Sequence, residues 1–405
     1  MKTFEIKNAD CREVMRGLPE NSIDSIVTDP PYGLEFMGKG WDRGVPGIEF
    51  WTEALRVLKP GGHLLAFGGT RTFHRLTCAI EDSGFEIRDC LGWIYGSGFP
   101  KSHNISKAID KAAGAEREIV GINPNHRKTA SGEVHQTETM LGEPHTSDGT
   151  ITAPATPEAA EWAGWGTALK PAWEPIILAR KPLAGTVAQN VLEFRTGGLN
   201  IDAARVGEET IRARKGGFSD SPIYGTGAAG LTFGGHLGRW PANILHDGSE
   251  EAIGIFPETT SGILKPSHFS KASEANCLNG SNQARHPRGE FGGDSGSAAR
   301  FFYCAKASKA DREAGNIHPT VKPSALMKYL CRLVTAPGGL ILDPFAGSGS
   351  TGKAAIAEGF RFLGAELDPA YAEIARARCE AAAKIAPEIT EGAEDSAQLD
   401  LFGEG

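Results

Sequence analysis

The feature that most constrains the fold is a short apolar strand that ends at two consecutive prolines. Residues 21–29 contain Ile23, Ile26 and Val27, and Asp29-Pro30-Pro31-Tyr32 closes the run. Short apolar runs of this kind are typical of parallel strands buried on both faces. Proline has no N–H to donate to a neighbouring strand, so the strand must end there. The sequence therefore predicts a buried strand with a carboxylate and an aromatic ring at its carboxyl end.

The chemistry of this strand end suits a bound aromatic amine. Ligands of open α/β sheets bind at the carboxyl ends of the strands. The Asp29 carboxylate and the Pro30 carbonyl can accept N–H protons, and the Tyr32 ring can stack on a heterocycle. A strand that merely ends in a proline-rich turn would show the same four residues, so the rest of the chain must distinguish the two interpretations.

Strand and helix patterns alternate in the first 97 residues and again after residue 324. The predicted strands are 4–9, 21–29, 63–67, 85–95, 339–342 and 360–363, and the predicted helices are 51–58, 73–83, 324–334, 351–358 and 369–385. Such alternation indicates an α/β fold with a doubly wound, mostly parallel sheet.

The middle of the chain has little regular pattern. A helix is predicted at 105–113 and strands at 175–179 and 193–195, whereas residues 123–160, 214–240 and 276–298 have the composition of loops. We therefore divide the chain into a first half (1–97), an insert (98–310), a second half (311–386) and an acidic tail (387–405). Residues 172–182 of the insert are expected to return to the sheet.

A glycine-rich turn follows the strand at 339–342. Glycines at 347 and 349 let the backbone approach a ligand at a helix N-terminus. A Walker loop would need a Ser or Thr where Ala354 stands, which disfavours a nucleotide-binding ATPase module. The dinucleotide fingerprint also fails, because Gly352 follows Gly349 one residue too late. Glu366, at the end of the next predicted strand, can accept the hydroxyl protons of a ribose.

Together these motifs resemble the S-adenosylmethionine-dependent amino-methyltransferases that act on nucleic-acid bases. Asp29-Pro30-Pro31-Tyr32 resembles the catalytic tetrapeptide, in which Asp and the first Pro carbonyl hold the exocyclic amine and Tyr stacks on a flipped base. Residues 343–349 resemble the cofactor loop, and Glu366-Leu367 the ribose-binding segment. His318-Pro-Thr-Val-Lys322-Pro resembles the segment beside the methionine end of the cofactor, and Asp10 matches the acid near its adenine.

The resemblance implies a catalytic set and a set for S-adenosyl-L-methionine, and no metal site. The catalytic set is Asp29, Pro30, Pro31 and Tyr32. The cofactor set is Asp10, Asp29, His318, Lys322, Asp343, Phe345, Ala346, Gly347, Ser348, Gly349, Glu366 and Leu367. The tetrapeptide precedes the cofactor loop, an order that resembles the circularly permuted beta group of DNA amino-methyltransferases. We therefore expect a Rossmann-like sheet in which both halves share one cleft and the insert holds the target-recognition region.

The implied function is site-specific methylation of adenine N6 in double-stranded DNA. Asp at the first motif position is commoner in the adenine enzymes of this family. Cytosine N4 is the alternative, because the same hydrogen bonds serve either amine. RNA or a protein amide is a less favoured substrate, given the permuted motif order. A homodimer is also implied, since dimers are common in the permuted group.

The net charge of −8 at first argues against a nucleic-acid partner, but its distribution does not. Residues 385–405 carry six acidic residues and no Lys or Arg, whereas residues 261–312 carry eight basic residues against four acidic ones.

In the tail, Gln398, Leu399, Leu401 and Phe402 closely resemble the motif with which bacterial replication proteins bind the sliding clamp.

The cysteines and the N-terminus predict a cytoplasmic protein. The seven cysteines are scattered and never form a Cys-x-x-Cys pair, which predicts reduced thiols and no zinc site. The first residues lack the apolar segment of a signal peptide. No apolar run approaches the roughly 20 residues that a membrane helix needs.

Overall fold

A nine-stranded sheet lies at the centre of the computed structural model, which describes residues 3–34, 44–98, 102–122, 137–138, 144–145, 150–211, 214–215, 232–233, 236–260, 295–305, 316 and 321–385. The strands are β1 (Phe4–Asn8), β2 (Ile23–Thr28), β3 (Leu58–Phe67), β4 (Glu86–Ile94), β5 (Trp173–Arg180), β6 (Ile244–His246), β7 (Tyr303–Cys304), β8 (Leu340–Asp343) and β9 (Arg361–Glu366). All residues of β2 and β8 are buried, as their apolar sequences predict.

The strand order is β1-β9-β8-β2-β3-β5-β4-β6-β7, and every neighbouring pair is parallel except those of β5. Strand β5 is antiparallel to both β3 and β4. The predicted doubly wound, mostly parallel α/β fold is thus confirmed. Because β2 pairs with β8, the first and second halves of the chain form one continuous sheet.

Ten α-helices are present in the part of the chain that the structure describes. They are α1 (Cys11–Arg16), α2 (Ile48–Val57), α3 (Phe73–Asp82), α4 (Ile105–Ala112), α5 (Pro157–Glu161), α6 (Val187–Phe194), α7 (Glu250–Ile253), α8 (Ser324–Val334), α9 (Ser350–Ala357) and α10 (Pro369–Ala383). Helices α1–α3 bury their apolar residues on one face of the sheet, and α8–α10 on the other. Each of these described helices is too short or too polar to cross a lipid bilayer.

Buried hydrogen bonds join the two halves beside β2. The Thr28 hydroxyl donates to Asp343 at 2.6 Å, and the Ser25 and Thr335 hydroxyls lie 2.7 Å apart. Asp24 accepts the Leu340 N–H at 2.6 Å. Each such bond contributes about 1 kcal/mol net, and more where one partner is charged. These contacts fix the register between segments that lie far apart in the sequence.

The insert has more regular structure than its composition predicts. Short strands pair at Ile119–Ile122 with Thr150–Thr152, Val206–Ile211 with His236–Arg239, Arg214–Lys215 with Thr232–Phe233, Glu258–Thr260 with Ser295–Ser297, and Thr137–Glu138 with Pro144–His145; Asp202–Ala204 and Ala298–Phe301 are 3₁₀-helices. The segment 123–160, expected to be a loop, therefore contains the strand Thr150–Thr152 and most of α5. Strands β5, β6 and β7 also come from the insert.

The strand predicted at 193–195 is wrong. Residues Glu193 and Phe194 end α6, and Arg195 follows in the left-handed conformation. A capping box between Thr186 and Gln189 starts this helix, with each side chain bonded to the other residue's backbone N–H. The capping residues lie several positions upstream, outside the short segment from which the strand was predicted.

The buried His63 of β3 should make the protein sensitive to acid. Burial lowers its pKa to about 4, with a further contribution from Arg180 and Arg88. The unfolded chain binds a proton there below about pH 6.5, so the free energy of unfolding falls as pH drops from about 6.5 to 4. We expect His63→Gln to remove about 2–3 kcal/mol of this fall. Urea unfolding at pH 7.5 and 4.5 measures the difference.

The exposed His103 provides the matched control, since His103→Gln removes a ring that water solvates in the folded protein. In His63→Gln the free energy of unfolding should still fall with acid, but by less, because burial also lowers the pKa of His246. An equal fall in the wild type and in His63→Gln would contradict the prediction.

Candidate active site

One cavity of about 1300 Å³ opens at the edge of the sheet where β1, β2, β8 and β9 end. Residues 29–32 line one end of it, and residues 343–348 line the other together with Glu366 and Leu367. The cavity is larger than the roughly 300–1000 Å³ of a typical small-molecule site, so it has room for two adjacent ligands. The structure therefore brings the tetrapeptide and the glycine-rich loop into one cleft.

Asp343 organises the start of the glycine-rich loop. It lies buried at the end of β8 and accepts hydrogen bonds from the Thr28 hydroxyl at 2.6 Å and the Phe345 N–H at 3.1 Å. Burial raises its pKa to about 6, although these hydrogen bonds oppose the shift. Asp343 lines the cavity, but its carboxylate is largely engaged in holding the loop against β2.

Arg378 of α10 supports the same loop from behind. Its guanidinium donates to the Ser348 carbonyl at 2.6 Å and to the Ser348 hydroxyl at 3.0 Å, and all these groups are buried. Gly349 has a φ of 77°, and a Cβ there would lie 2.9 Å from the Ala375 Cα. Gly349 does not line the cavity, and its lack of a Cβ permits the close packing of α10 against the loop.

Glu366 is held at the rim of the cavity by two backbone donors. Its Oε2 accepts the Gly347 N–H and its Oε1 accepts the Asp368 N–H, both at 2.8 Å. Gly347 has a φ of 52°, a conformation that favours glycine. Burial raises the pKa of Glu366. Each carboxylate oxygen keeps a further lone pair, so Glu366 can still accept protons from a diol.

Asp10 lies in the cavity wall with its carboxylate already bound. It caps α1 by accepting the Arg12 N–H at 2.8 Å, and it forms a bidentate pair with the Arg12 guanidinium. The side-chain hydrogen bond from Arg12 holds the pKa of Asp10 below its usual value. The Arg12 guanidinium lies 4.7 Å from the Phe50 ring centroid, and that ring lies 5.8 Å from Phe345. Phe50, which sequence reasoning missed, thus forms an aromatic wall of the cavity together with Phe345.

At the other end, Lys322 binds the tetrapeptide. Its Nζ lies 3.2 Å from Asp29 Oδ1, 2.9 Å from the Tyr32 hydroxyl and 2.8 Å from Glu174 Oε2. It also lies 4.6 Å from the Phe67 ring centroid. Burial alone would lower the pKa of Lys322, but the two carboxylates raise it above its usual value. Lys322 therefore stays charged in this largely apolar pocket.

Asp29 keeps one carboxylate oxygen for a ligand. The Tyr32 hydroxyl donates to Asp29 Oδ1 at 2.8 Å, and Lys322 contacts the same oxygen. Burial raises the pKa of Asp29, and the positive charge of Lys322 opposes this shift. The side chain is 24% exposed, so Oδ2 is available to an entering hydrogen-bond donor.

Backbone contacts fix the position of Tyr32. The Thr72 hydroxyl donates to its carbonyl at 2.6 Å, and a Cβ at Gly69 would lie 3.2 Å from its ring. Pro30 and Pro31 line the cavity beside it. The Tyr32 hydroxyl points to Asp29, an arrangement that the sequence did not indicate.

Glu174, Tyr95 and Trp173 are cavity residues that sequence reasoning missed. Glu174 and Trp173 reach this edge because β5 runs antiparallel to its neighbours, so its first residues lie beside the last residues of β3 and β4. A signal was present, since Glu174 is a charged residue directly ahead of the apolar run 175–179.

Two predicted groups lie outside the described residues, namely His318 and the tail segment with Gln398, Leu399, Leu401 and Phe402. Ala346 and Leu367 line the cavity at the end that holds Glu366. Lys353, the lysine of the alternative Walker loop, is absent from the residues that line the cavity in the described structure.

The sequence matches the profile of one protein family, described as DNA methylase, over residues 23–377. It is 22% identical to the type II methyltransferase M.HindIII of Haemophilus influenzae over 287 residues, which are 59% of this chain and 77% of that protein. The match to the DNA adenine methyltransferase YhdJ of Escherichia coli is 42% over 71 residues, or 18% of this chain and 24% of that protein. The match to M2.DpnII of Streptococcus pneumoniae is 45% over 73 residues, covering 18% and 27%.

The last two matches thus span about a quarter of each relative's length.

Among solved structures, the complex of M1.HpyAVI with SAM aligns with a TM-score of 0.39 and 14% identity, over 93% of this chain and 98% of that one. TTHA0409 of Thermus thermophilus aligns with a TM-score of 0.40 and 16% identity, over 95% and 96%. The resemblance noted in the sequence is confirmed by the family match.

The support of the loop by Arg378 can be tested by substitution. We expect Arg378→Met to raise the Kd for S-adenosyl-L-methionine about tenfold, because a charged donor's hydrogen bonds contribute about 1.5–3 kcal/mol. Titration calorimetry measures the Kd. Arg376→Met is the control, since Arg376 lies on the same helix and donates to the Ile6 carbonyl, away from the loop. An unchanged Kd in Arg378→Met would remove the proposed role.

Proposed function

The chain belongs to the DNA methylase family, and from this we propose that it transfers a methyl group to the N6 amine of adenine in double-stranded DNA. The observation that carries the proposal is the single cleft in which Asp29 and the glycine-rich loop face one another. One end of the cleft has the groups that hold an amine, and the other has those that hold a nucleoside.

The residues present fit S-adenosyl-L-methionine as cofactor. Glu366 offers carboxylate lone pairs to the ribose hydroxyls, and Phe345 with Phe50 offers an aromatic wall for the adenine. The backbone at Gly347 leaves room for close approach. When bound, the cofactor supplies a methyl group that its positively charged sulfur makes electrophilic. We propose that Lys322, Asp343 and Ser348 shape the pocket, whereas Asp10 holds Arg12 and α1.

Asp29 and Pro30 hold the amine that is methylated. The lone pair of an aromatic amine is delocalised into its ring, so the amine is a poor nucleophile. Asp29 Oδ2 and the Pro30 carbonyl can each accept one of its N–H protons, which favours a more tetrahedral nitrogen. The positive charge that develops on nitrogen is then close to a carboxylate. Alignment of the two ligands supplies much of the rate enhancement.

The target base must leave the duplex to reach Asp29, which costs a few kcal/mol of unstacking energy. Tyr32, Trp173 and Tyr95 give the catalytic end an aromatic lining against which a flipped base can stack. Adenine is favoured over cytosine by the Asp at the first position of the tetrapeptide. The name of the relative YhdJ, a DNA adenine methyltransferase, supports the same choice.

The direct test is to identify the modified nucleoside. Duplex DNA is incubated with the protein and labelled S-adenosyl-L-methionine, digested and separated by chromatography with mass detection. We expect N6-methyladenine from the wild type. Asp29→Asn should lower kcat by roughly a hundredfold or more. Lys322 and the Tyr32 hydroxyl would hold the amide oxygen on the Oδ1 side, so the NH2 group, which cannot accept the amine proton, would face the amine. Titration calorimetry should give a Kd for the cofactor within about threefold of the wild-type value.

Two outcomes would contradict this proposal in different ways. N4-methylcytosine as the product would overturn the choice of base but keep the reaction. Loss of cofactor binding in Asp29→Asn would contradict the division of the cavity into an amine end and a cofactor end. Transfer to RNA or protein alone would overturn the DNA substrate.

We propose further that the insert contacts the DNA target sequence, that the protein acts in the cytoplasm and that it forms a homodimer.

The tail motif at 398–402 supports a contact with the sliding clamp, because two leucines and a phenylalanine lie in an otherwise acidic segment. Deletion of residues 398–405 should abolish binding to immobilised clamp while methylation of short duplexes stays unchanged. Equal clamp affinity with and without these residues would exclude the motif.

A further inference from the structure

Two carboxylates share one ammonium group at the catalytic end. Lys322 Nζ lies 2.8 Å from Glu174 Oε2 and 3.2 Å from Asp29 Oδ1. The Tyr32 hydroxyl also lies 3.4 Å from Glu174 Oε2. The side chains of Asp29, Glu174 and Lys322 are 24%, 22% and 12% exposed, so water screens their charges only in part. The ammonium is therefore closer to the carboxylate that has no place in the proposed reaction.

Without Glu174, the same ammonium would pair with Asp29 alone. An ammonium beside a single carboxylate in a low-dielectric pocket moves towards it and forms a neutral pair. Such a pair would offer less negative charge to a donor at Oδ2. With Glu174 present, the formal charges of Asp29, Glu174 and Lys322 sum to −1, so the cluster beside Oδ2 keeps a net negative charge.

We propose that Glu174 is a positioning residue that holds Lys322 and the Tyr32 hydroxyl on the Oδ1 side of Asp29. Oδ2 of Asp29 is thereby left for the amine of the flipped base, and the cluster stays negative while the amine nitrogen gains positive charge. This inference rests on the proposed function and adds a residue to it. In this proposal Glu174 acts through its contacts with Lys322 and Tyr32 and not on the reacting atoms themselves.

The fold explains why this acid comes from β5. Ile176 pairs with Phe67 and Glu174 pairs with Trp93, which sets Glu174 at the edge where β3 and β4 end. The groups that face the cluster come from four elements. They are Asp29 and Tyr32 after β2, Tyr95 after β4, Lys322 before α8, and Asp343 of β8, which interacts with Asp29. Among them Lys322 is the cation, so its position decides the charge at Asp29.

Glu174→Gln tests whether the negative charge of Glu174 matters, because the substitution removes the charge and keeps the shape of the side chain. The glutamine oxygen can still accept a hydrogen bond from Lys322, but the negative charge is gone. We expect kcat for methylation of duplex DNA to fall roughly tenfold or more, while KM for DNA and Kd for S-adenosyl-L-methionine stay within about threefold. Glu174→Asp, which restores the charge, should recover more activity than Glu174→Gln. A kcat for Glu174→Gln within about twofold of the wild type overturns the proposal.

The pH profile provides a readout that lost packing would not change. Glu174 contributes to the raised pKa of Asp29, so its removal should lower that pKa. The acid limb of kcat in Glu174→Gln should therefore shift to lower pH. An acid limb that stays in place would show that Glu174 does not act on Asp29.

A double-mutant cycle tests whether Glu174 acts through Lys322. On the background of Lys322→Met, the change Glu174→Gln should lower kcat less than about twofold, because the cation that it positions is gone. A further loss of about tenfold in the double variant overturns the mechanism. The cycle is interpretable only if the wild type methylates DNA, so failure of the proposed function appears separately as an inactive wild type.

Glu86→Gln is the matched control. Glu86 pairs with Arg180 at 2.6 Å near the opposite end of β5, across the same pair of strands. It lies outside the cavity lining, so its substitution should leave kcat, KM and the pH profile unchanged. Thermal melting of all variants shows whether each one is folded under the assay conditions.

Discussion

The pairing of β2 with β8 is the contact on which the site depends. It aligns Ile341 with Ser25 and Leu342 with Ile26, and the Thr28 hydroxyl then reaches Asp343, 315 residues away. Both strands are fully buried, so a shift by one residue would move each side chain to the opposite face of the sheet and separate these polar partners. The tetrapeptide begins directly after β2, and the glycine-rich loop begins at the end of β8. Their common cleft is therefore a direct result of strand register.

The two ends of the cleft are held by different kinds of contact. At the end lined by the glycine-rich loop, backbone N–H groups, Arg378 and the buried Asp343 fix the loop. At the end lined by the tetrapeptide, side chains from three separate segments meet at Lys322. Hydrogen bonds to the backbone hold the glycine-rich loop in one position. The charged side chains around Lys322 can instead change their hydrogen-bond partners when a donor enters. This division suits a reaction in which one ligand is held and the other must be admitted from a duplex.

The sequence predicts most of the sheet because its strands are apolar and its helices have clear spacing. The helix Ser324–Val334 has the predicted bounds, with leucines at 326, 330 and 333 on its buried face. The insert was less predictable, because α6 depends on a capping box and the paired strands at 119–122 and 150–152 are short. The sequence shows Glu174 as a charged residue ahead of an apolar run but does not assign it to the site. Its place in the site follows from the antiparallel direction of β5, which no local pattern specifies.

The charge of the amine end follows from the same topology. A parallel strand in the place of β5 would bring its last residue, Arg180, to this edge, and a second cation would then face Lys322. The antiparallel strand brings Glu174 instead and leaves Arg180 at the far edge with Glu86. A net negative cluster stabilises a nitrogen that becomes positive as it is methylated, whereas two cations would oppose that charge. In the proposed reaction, the direction of this one strand thus decides whether an acid or a base lies beside Lys322.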